Sequence, residues 1–174
     1  MAETFIHTIG HGARSFDDLV RELLQHDIHY LVDVRSKPYS RFHQQFSKRE
    51  LKPALKARNI TYLWLGYQLG GIPEDVSVYT NGKVDYTKLA TKDYFQQGLD
   101  RLRTAHQKGV KIAVMCGEKK PHQCHRTHVI GRELTKENIP VLHLLDGKAK
   151  DQATILFEAN EGRNETDLFG EAGH

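Results

Sequence analysis

Short β-prone runs alternate along this chain with segments of helical periodicity, and the alternation restricts the folds it can adopt. The predicted strands are residues 5–9, 29–34, 61–65, 110–115 and 140–145. Helical spacing of apolar residues falls between them, over residues 16–26, from a Ser47 cap through Leu51 and Leu55, from Asp93 to Gly109, and over residues 125–137. Such alternation is typical of a parallel sheet covered by helices, and five strands are too few for an eight-fold barrel. We therefore predict an α/β fold with a mostly parallel sheet of about five strands and helices on both faces, in three layers.

The chain has 174 residues, which is enough for one domain with its own core. We expect a single α/β domain over residues 1–150 and a C-terminal extension over residues 151–174 whose distal part is flexible. Residues 66–92 are rich in glycine and predict a long loop, with a small hairpin at Asn81-Gly82. Loops of this length often act as binding lids or are disordered.

Composition excludes few functions. The net charge of +3 is too small to indicate nucleic-acid binding by itself. Two cysteines do not make a disulfide framework, and a reducing compartment would keep them as thiols. The sequence contains no apolar run of membrane-spanning length, and its first residues lack the pattern of a signal peptide. We therefore predict a cytoplasmic protein without a membrane partner.

Polar and small residues directly follow four of the predicted strands. Ligands of open α/β sheets bind beyond the carboxyl ends of the strands, so these residues are expected to meet at one edge. The candidate catalytic residues are His11, Asp33, Glu118, Cys124 and His125, and the candidate ligand-binding residues are Arg35, Ser40, Arg41, Tyr67 and Arg126. Their convergence is the strongest functional signal in the sequence.

The same strand ends carry an ordered set of motifs. These are Thr8-Ile9-Gly10-His11, Val32-Asp33-Val34-Arg35 with Pro38 and Ser40-Arg41, Leu69-Gly70-Gly71, and Cys116-Gly117-Glu118 with Cys124-His125-Arg126. The set resembles the signature of the family called domain of unknown function 488, over nearly all of residues 5–145. The resemblance implies an α/β domain with a shared site at these motifs and leaves the reaction open. Gly12 stands where the family usually has a residue such as serine, a departure that leaves the site in place.

Our leading hypothesis is an enzyme or binding domain that acts on a phosphate-bearing ligand, either nucleic acid or nucleotide, with DNA maintenance as one option for its role. Arg35, Arg41 and Arg126 are the candidate phosphate ligands, because a guanidinium group matches phosphate oxygens in a bidentate fork. A helix that begins near Cys124 adds backbone N–H groups for the same anion. The alternative is that Arg35 pairs with Asp33 or Glu118 in a structural network.

The same hypothesis assigns other candidate residues to proton transfer and to contact with the ligand's rings. His11, Asp33, Glu118 and His125 are candidates for proton transfer, with His11 flanked by glycines that let a ligand approach closely. A structural role for His11 is the alternative. Tyr67 is a candidate for stacking or hydrogen bonding.

A thiol-dependent enzyme is the main alternative function. Cys124 lies near a predicted helix N-terminus beside His125 and Arg126, which is where the pKa of a thiol falls and the thiolate becomes available. A buried cysteine that packs as a small apolar side chain is the competing interpretation. Zinc is a weaker hypothesis, because the spacing of Cys116, His122, Cys124 and His125 does not give two close ligand pairs. We predict no metal and no cofactor.

The C-terminal extension contains a separate signal. Thr166-Asp167-Leu168-Phe169 is a short apolar anchor in a polar segment and is similar to the peptide that bacterial replication and repair proteins insert into the sliding clamp. The usual leading glutamine is replaced by Glu165. A non-catalytic adaptor that contacts DNA or the clamp through Leu168 and Phe169 is therefore a third hypothesis, and docking against the parent domain is its alternative.

Overall fold

The computed structural model describes residues 3–169, with side chains as far as residue 161. Its main sheet has six strands: β1 (Ile6–Gly10), β2 (Tyr30–Asp33), β3 (Thr61–Trp64), β6 (Ile112–Cys116), β7 (Val141–Leu145) and β8 (Lys148–Asp151). Their order is β3-β2-β6-β1-β7-β8, and all are parallel except β8, which is antiparallel to β7. The five strands predicted from the sequence are present. The sixth, β8, follows as an edge strand.

Two more strands form a separate hairpin within residues 66–92. These are β4 (Tyr79–Thr80) and β5 (Lys83–Val84), joined by Asn81 and Gly82 with φ of +53° and +77°. Both turn residues have positive φ, as the tight hairpin predicted at Asn81-Gly82 requires. The rest of this segment, predicted as a long loop, contains α3 (Gly66–Leu69), a 3-10 turn (Val76–Val78) and α4 (Tyr86–Ala90). Leu69, Val78 and Leu89 bury their side chains in the core and so fix the segment to the domain.

The remaining helices cover both faces of the sheet, as predicted. They are α1 (Phe16–Gln25), α2 (Lys48–Lys56), α5 (Asp93–Gln107), α6 (Arg132–Lys136) and α7 (Gln152–Phe169). A π-helical turn over Arg126–Gly131 precedes α6. The part of α7 whose side chains are described packs against β7, β8 and the π-helical turn, with Ile155 buried.

Two apolar cores lie on opposite faces of the sheet. One core joins Val32, Val114 and Cys116 to the helices α3, α5 and α6. The other joins Leu31 and Met115 to the helices α1 and α2. Successive residues of a strand point to opposite faces, so central strands covered on both sides must be apolar at every position. This is why β6 and the Leu31-Val32 centre of β2 are apolar, and it gives the three-layer architecture.

The sequence predicts a serine cap at the start of α1 and of α2, and the capping hydrogen bond forms only at α1. Ser15 caps α1 as predicted, with its Oγ accepting the N–H of Asp18 at 3.1 Å. Ser47 occupies the position before α2, but its Oγ makes no capping bond. It accepts the N–H of Ser40 at 3.0 Å and donates to the carbonyl of Ser40 at 3.4 Å. Ser47 therefore ties the loop after β2 to the start of α2.

A buried network of hydrogen bonds connects β1, β7, α7 and the π-helical turn. His143 is completely buried, with Nδ1 2.6 Å from Thr8 Oγ1 and Nε2 2.7 Å from Gln152 Oε1. The Gln152 amide in turn donates to the Thr127 carbonyl at 2.8 Å. The amide oxygen can only accept, so Nε2 of His143 carries the proton and Nδ1 accepts from Thr8. Burial, more than the nearby Arg126 charge, lowers the pKa of His143 to about 4.

Because His143 is buried as the neutral form, we expect the protein to lose stability as the pH becomes acidic. The folded-state pKa of about 4 lies below the value of 6.5 of an ordinary histidine, so the unfolded chain binds the additional proton between these limits. The contribution of His143 to the free energy of unfolding is complete above pH 6.5 and declines by about 3 kcal/mol as the pH falls to 4. Urea unfolding across this range should give a shallower pH dependence for His143→Gln than for the wild type. The exposed His29→Gln is the matched control, and an equal slope in all three proteins would contradict the assignment.

Candidate functional site

A cavity of about 590 Å³ opens at the carboxyl ends of β1, β2 and β6. Six of the ten candidate residues line it: His11, Arg35, Ser40, Glu118, Cys124 and His125. Cys116 and Lys37 line it as well. The carboxyl ends of neighbouring parallel strands meet at one sheet edge, and this brings together residues more than 100 positions apart in sequence.

Asp33 and Arg35 form a buried ion pair at the end of β2. Arg35 Nε donates to Asp33 Oδ1 at 2.9 Å and Nη2 donates to Oδ2 at 2.7 Å, a bidentate arrangement. Burial lowers the pKa of Arg35, but the hydrogen bond and charge of Asp33 outweigh it and raise this pKa above its usual value. The Tyr62 hydroxyl also donates to Asp33, while Arg35 Nη2 donates to the Phe46 carbonyl at 2.7 Å. Asp33 is completely buried and therefore acts through Arg35.

Arg35 in turn fixes the protonation of His11. His11 Nδ1 lies 2.8 Å from the Gly12 carbonyl, which accepts its proton, and Nε2 lies 3.3 Å from Arg35 Nη1, which donates to it. Burial is the main cause that lowers the pKa of His11 to about 4, and the Arg35 charge adds to it. The ring stacks on Phe46 at a centroid distance of 4.6 Å. His11 is thus a neutral, oriented imidazole at the cavity wall.

Two sulfur atoms meet at the floor of the cavity. Cys124 Sγ lies 2.6 Å from Cys116 Sγ, and no disulfide joins them. Arg126 lies behind the pair and is completely buried, with Nη1 2.6 Å from Cys116 Sγ. The same guanidinium donates to the Glu118 carbonyl at 2.5 Å and to the Lys119 carbonyl at 3.0 Å. Arg126 therefore fixes the loop after β6 and places a positive charge against the thiols.

The two thiols share one negative charge. Burial raises the pKa of Cys116 well above its usual range, and its hydrogen bond with Cys124 raises it further. Burial also opposes ionisation of Cys124, but the hydrogen bond from Cys116, the Arg126 charge and the Arg126 N–H outweigh it and lower the pKa of Cys124 to about 7. Closely coupled groups of this kind lose their protons in two separated steps, which belong to the pair. The first step leaves a thiolate near neutral pH.

His125 completes the surroundings of Cys124. Its Nε2 lies 3.2 Å from the Val34 carbonyl, so Nε2 carries the proton and donates it. Its Nδ1 therefore presents a lone pair to Cys124 Sγ at 3.5 Å. Burial lowers the pKa of His125, which keeps the ring neutral. This nitrogen can accept the proton of the thiol.

Glycines allow these close approaches. A Cβ atom on Gly10, the last residue of β1, would lie 2.0 Å from the Glu118 carbonyl oxygen. A Cβ atom on Gly71 would lie 2.8 Å from the His125 ring. Both positions therefore exclude a side chain, because real Cβ atoms do not approach other atoms so closely. This packing explains the glycines at these two motif positions.

Four candidate residues lie elsewhere. Asp33 and Arg126 are completely buried behind the cavity walls, where they contact Arg35 and Cys116. Arg41 is exposed and stacks on Phe42 at 5.8 Å. Tyr67 is 58 % exposed, its ring packs against the Trp64 ring, and it lines a neighbouring cavity.

Sequence reasoning did not identify Tyr62 or Phe46. Tyr62 is a tyrosine in a buried strand, and a buried hydroxyl needs a hydrogen-bond partner. That signal was present in the sequence, but choosing Asp33 as the partner requires knowing that β3 lies beside β2. Phe46 lies in the short 3-10 turn Gln44–Phe46 before α2, which has no periodic pattern.

No group of three or more His, Cys, Asp or Glu side chains in residues 3–161 could hold a metal ion. None of the described helices is both long and apolar enough to cross a membrane.

Comparison with known proteins gives one match. The family model described as domain of unknown function DUF488 matches residues 15–132, about two thirds of the chain. No curated protein and no solved structure matches the chain. The matched range includes the ion pair after β2 and both cysteines.

Proposed function

The chain belongs to the DUF488 family, and from that premise we propose that its strand-end cavity carries out thiol chemistry with Cys124 as the nucleophile. The contact between Cys124 Sγ and Cys116 Sγ at 2.6 Å, at the floor of a cavity that both residues line, carries the proposal. A thiol that serves only as a small apolar side chain needs neither a second sulfur nor a buried cation beside it.

The electrostatic surroundings favour a reactive thiolate. A pKa of about 7 for Cys124 leaves a large fraction of the thiolate at neutral pH. A thiol with a pKa near the ambient pH also combines thiolate content with nucleophilicity. His125 Nδ1, at 3.5 Å, accepts the proton of Cys124 when the thiol form enters the reaction.

The second sulfur directs the chemistry towards thiol–disulfide exchange. The Cys124 thiolate attacks one sulfur of a small disulfide, R–S–S–R′, and releases R′–S⁻. Cys116 gives its proton to R′–S⁻, and the Cys116 thiolate then attacks Cys124 Sγ and releases R–S⁻, which takes a proton from water. The substrate gains two electrons, the Cys116–Cys124 pair loses two and becomes a disulfide, and a small thiol reduces the pair for the next cycle. An acyl-transfer reaction would leave Cys116 without a role.

A phosphate-bearing ligand, either nucleotide or nucleic acid, is a second candidate for the same cavity. The exposed Lys37 at its rim supports it. Arg35 and Arg126 support it less, because their guanidinium groups already donate to Asp33, Phe46, Cys116 and two loop carbonyls. The sliding-clamp contact through Leu168 and Phe169 stays a prediction, because the side chains of both residues lie outside the described part of the chain.

Trapping of a mixed disulfide tests the thiol proposal. With glutathione disulfide as the probe, the wild type is expected to release both glutathione thiols and to lose two hydrogens, as intact mass spectrometry measures. Cys116→Ser should retain one glutathione on Cys124, since no second sulfur resolves the intermediate. Cys124→Ser should retain none. Capture by Cys124→Ser as fast as by Cys116→Ser would contradict the assigned order of attack.

A further inference from the structure

A strongly basic segment follows β2. Residues 35–58 contain eight of the 25 Lys and Arg residues of the chain and only one of its 22 Asp and Glu residues, Glu50. The chain as a whole has a net charge of only +3, so this segment is far more basic than the remainder. Seven of its eight cations are exposed: Lys37, Arg41, Lys48, Arg49, Lys52, Lys56 and Arg58. Of these, Arg58 pairs with Asp17 in α1.

Aromatic rings are exposed among these cations. The Tyr39 side chain is 66 % exposed and the Phe42 side chain is 84 % exposed. Arg41 lies over the Phe42 ring at 5.8 Å, and Lys48 lies over the Trp64 ring at 5.1 Å. Apolar rings of this size are normally buried, so a set of them left in solvent beside cations marks a surface for a partner. We call the exposed side chains of Lys37, Tyr39, Arg41, Phe42, Lys48, Arg49, Lys52 and Lys56 the basic-aromatic surface.

A further cavity, separate from the two described above, lies within this surface. It has a volume of about 430 Å³, with apolar walls from Pro38, Tyr39 and Pro53 and cations from Lys48, Arg49 and Lys52. Tyr39 also lines the strand-end cavity that contains the two cysteines, so this residue borders both cavities. The pocket is large enough for a flat ring and is bordered by groups that bind phosphate.

We propose that the basic-aromatic surface binds single-stranded nucleic acid. Unpaired bases stack on exposed aromatic rings, while nearby lysine and arginine side chains contact the phosphates, and this combination is the usual basis of binding to single strands. A duplex keeps its bases stacked inside and does not use Tyr39 and Phe42. A membrane surface attracts the same cations, but a lipid headgroup does not fill the cavity beside Tyr39 as a stacked base does.

The proposal does not depend on thiol chemistry, because neither cysteine belongs to this surface. It also differs from a phosphate clamp at Arg35 and Arg126, since both of these are occupied by protein partners. The phosphate contacts are assigned to Arg49 and Lys52, on the exposed face of α2. No ion pair within the described residues involves either of them.

Fluorescence anisotropy with labelled single-stranded DNA and RNA of about 15 nucleotides tests the proposal, because that length covers one site of the usual size. Arg49→Glu/Lys52→Glu is expected to weaken binding about tenfold or more and to reduce its dependence on salt. Lys83→Glu/Lys108→Glu makes the same charge change at exposed positions elsewhere and should change binding less than about twofold.

A second pair of variants tests stacking. Tyr39→Ala and Phe42→Ala should each weaken binding about fivefold or more, whereas Phe157→Ala, which removes a 62 % exposed ring on α7, should have no effect. Equal loss from the two charge-reversal variants would overturn the proposal, as would tighter binding of duplex DNA. Binding to anionic lipid vesicles without binding to oligonucleotides would also overturn it and indicate a membrane surface. Cys124→Ser should bind like the wild type, so failure of the thiol proposal is measured separately.

Discussion

Replacing Arg126 by methionine is expected to lower the free energy of unfolding by about 3–5 kcal/mol at neutral pH. The guanidinium group is completely buried, and its loss leaves the thiol pair and the carbonyls of Glu118 and Lys119 without their donor. Leaving a buried acceptor without its donor costs about 1–3 kcal/mol, and three acceptors lose theirs here. The same change removes the positive charge that lowers the pKa of Cys124, so this pKa should rise. Urea unfolding and the pH dependence of thiol alkylation measure the two effects.

Arg132→Met is the matched control for this variant. Arg132 is the first residue of α6 and is exposed, so its replacement should change stability by about 0.5 kcal/mol or less. Similar losses in the two variants would mean that Arg126 does not hold a charged thiol pair. A destabilised Arg126→Met with an unchanged Cys124 pKa would restrict Arg126 to holding the loop.

Asp33→Asn is expected to cost a comparable amount, about 3–5 kcal/mol. The side chain of Arg35 is 8 % exposed and that of Asp33 is inaccessible, so the neutral amide leaves a buried guanidinium without its counter-charge. Tyr62 loses a charged acceptor as well. Burial and the Asp33 carboxylate raise the pKa of Tyr62, so its hydroxyl stays protonated and donates to the carboxylate. Thermal or urea unfolding measures the loss.

Asp17→Asn breaks an ion pair of similar length in a different environment. Asp17 and Arg58 are 2.9 Å apart, but the side chain of Asp17 is 69 % exposed, so this pair is screened by water. Its loss should cost less than about 1 kcal/mol. If Asp33→Asn proved as mild as Asp17→Asn, the ion pair after β2 would not be what holds Arg35 and His11 in place.

The sequence predicted the sheet well because β6, covered on both faces, is an unbroken apolar run, and the other parallel strands are short β-prone segments between helical periods. The strand β8 was not predicted, since its Lys148-Ala149-Lys150-Asp151 segment is polar and largely exposed. Charged edge strands avoid association with other sheets and so lack an apolar pattern. The hairpin at Asn81-Gly82 was predicted, but the short helices within residues 66–92 were not. Each is too short for periodicity and is held by single buried residues such as Leu69 and Leu89.

The location of the candidate site was predicted from the rule that strand ends converge. The partners of the two arginines were predicted only in part. Pairing of Arg35 with Asp33 was the alternative to phosphate binding, and the structure contains this pair. The contact of Arg126 with Cys116 was not predicted, because it depends on which elements are neighbours. Pairs such as Tyr62 with Asp33 are 29 positions apart in the chain, and no local pattern records them. The contact between Cys116 and Cys124 could not be predicted from the sequence, because it requires knowing that the end of β6 lies beside the start of the π-helical turn.

The rate at which iodoacetamide alkylates Cys124 as a function of pH tests the central claim most directly. Only the thiolate reacts, so the rate of the wild type should fall as the pH is lowered through about 7, with peptide mass spectrometry locating the label on Cys124. An inflection near pH 8.5, the value of an ordinary cysteine, would contradict the account, as would labelling of Cys124 only when the protein unfolds.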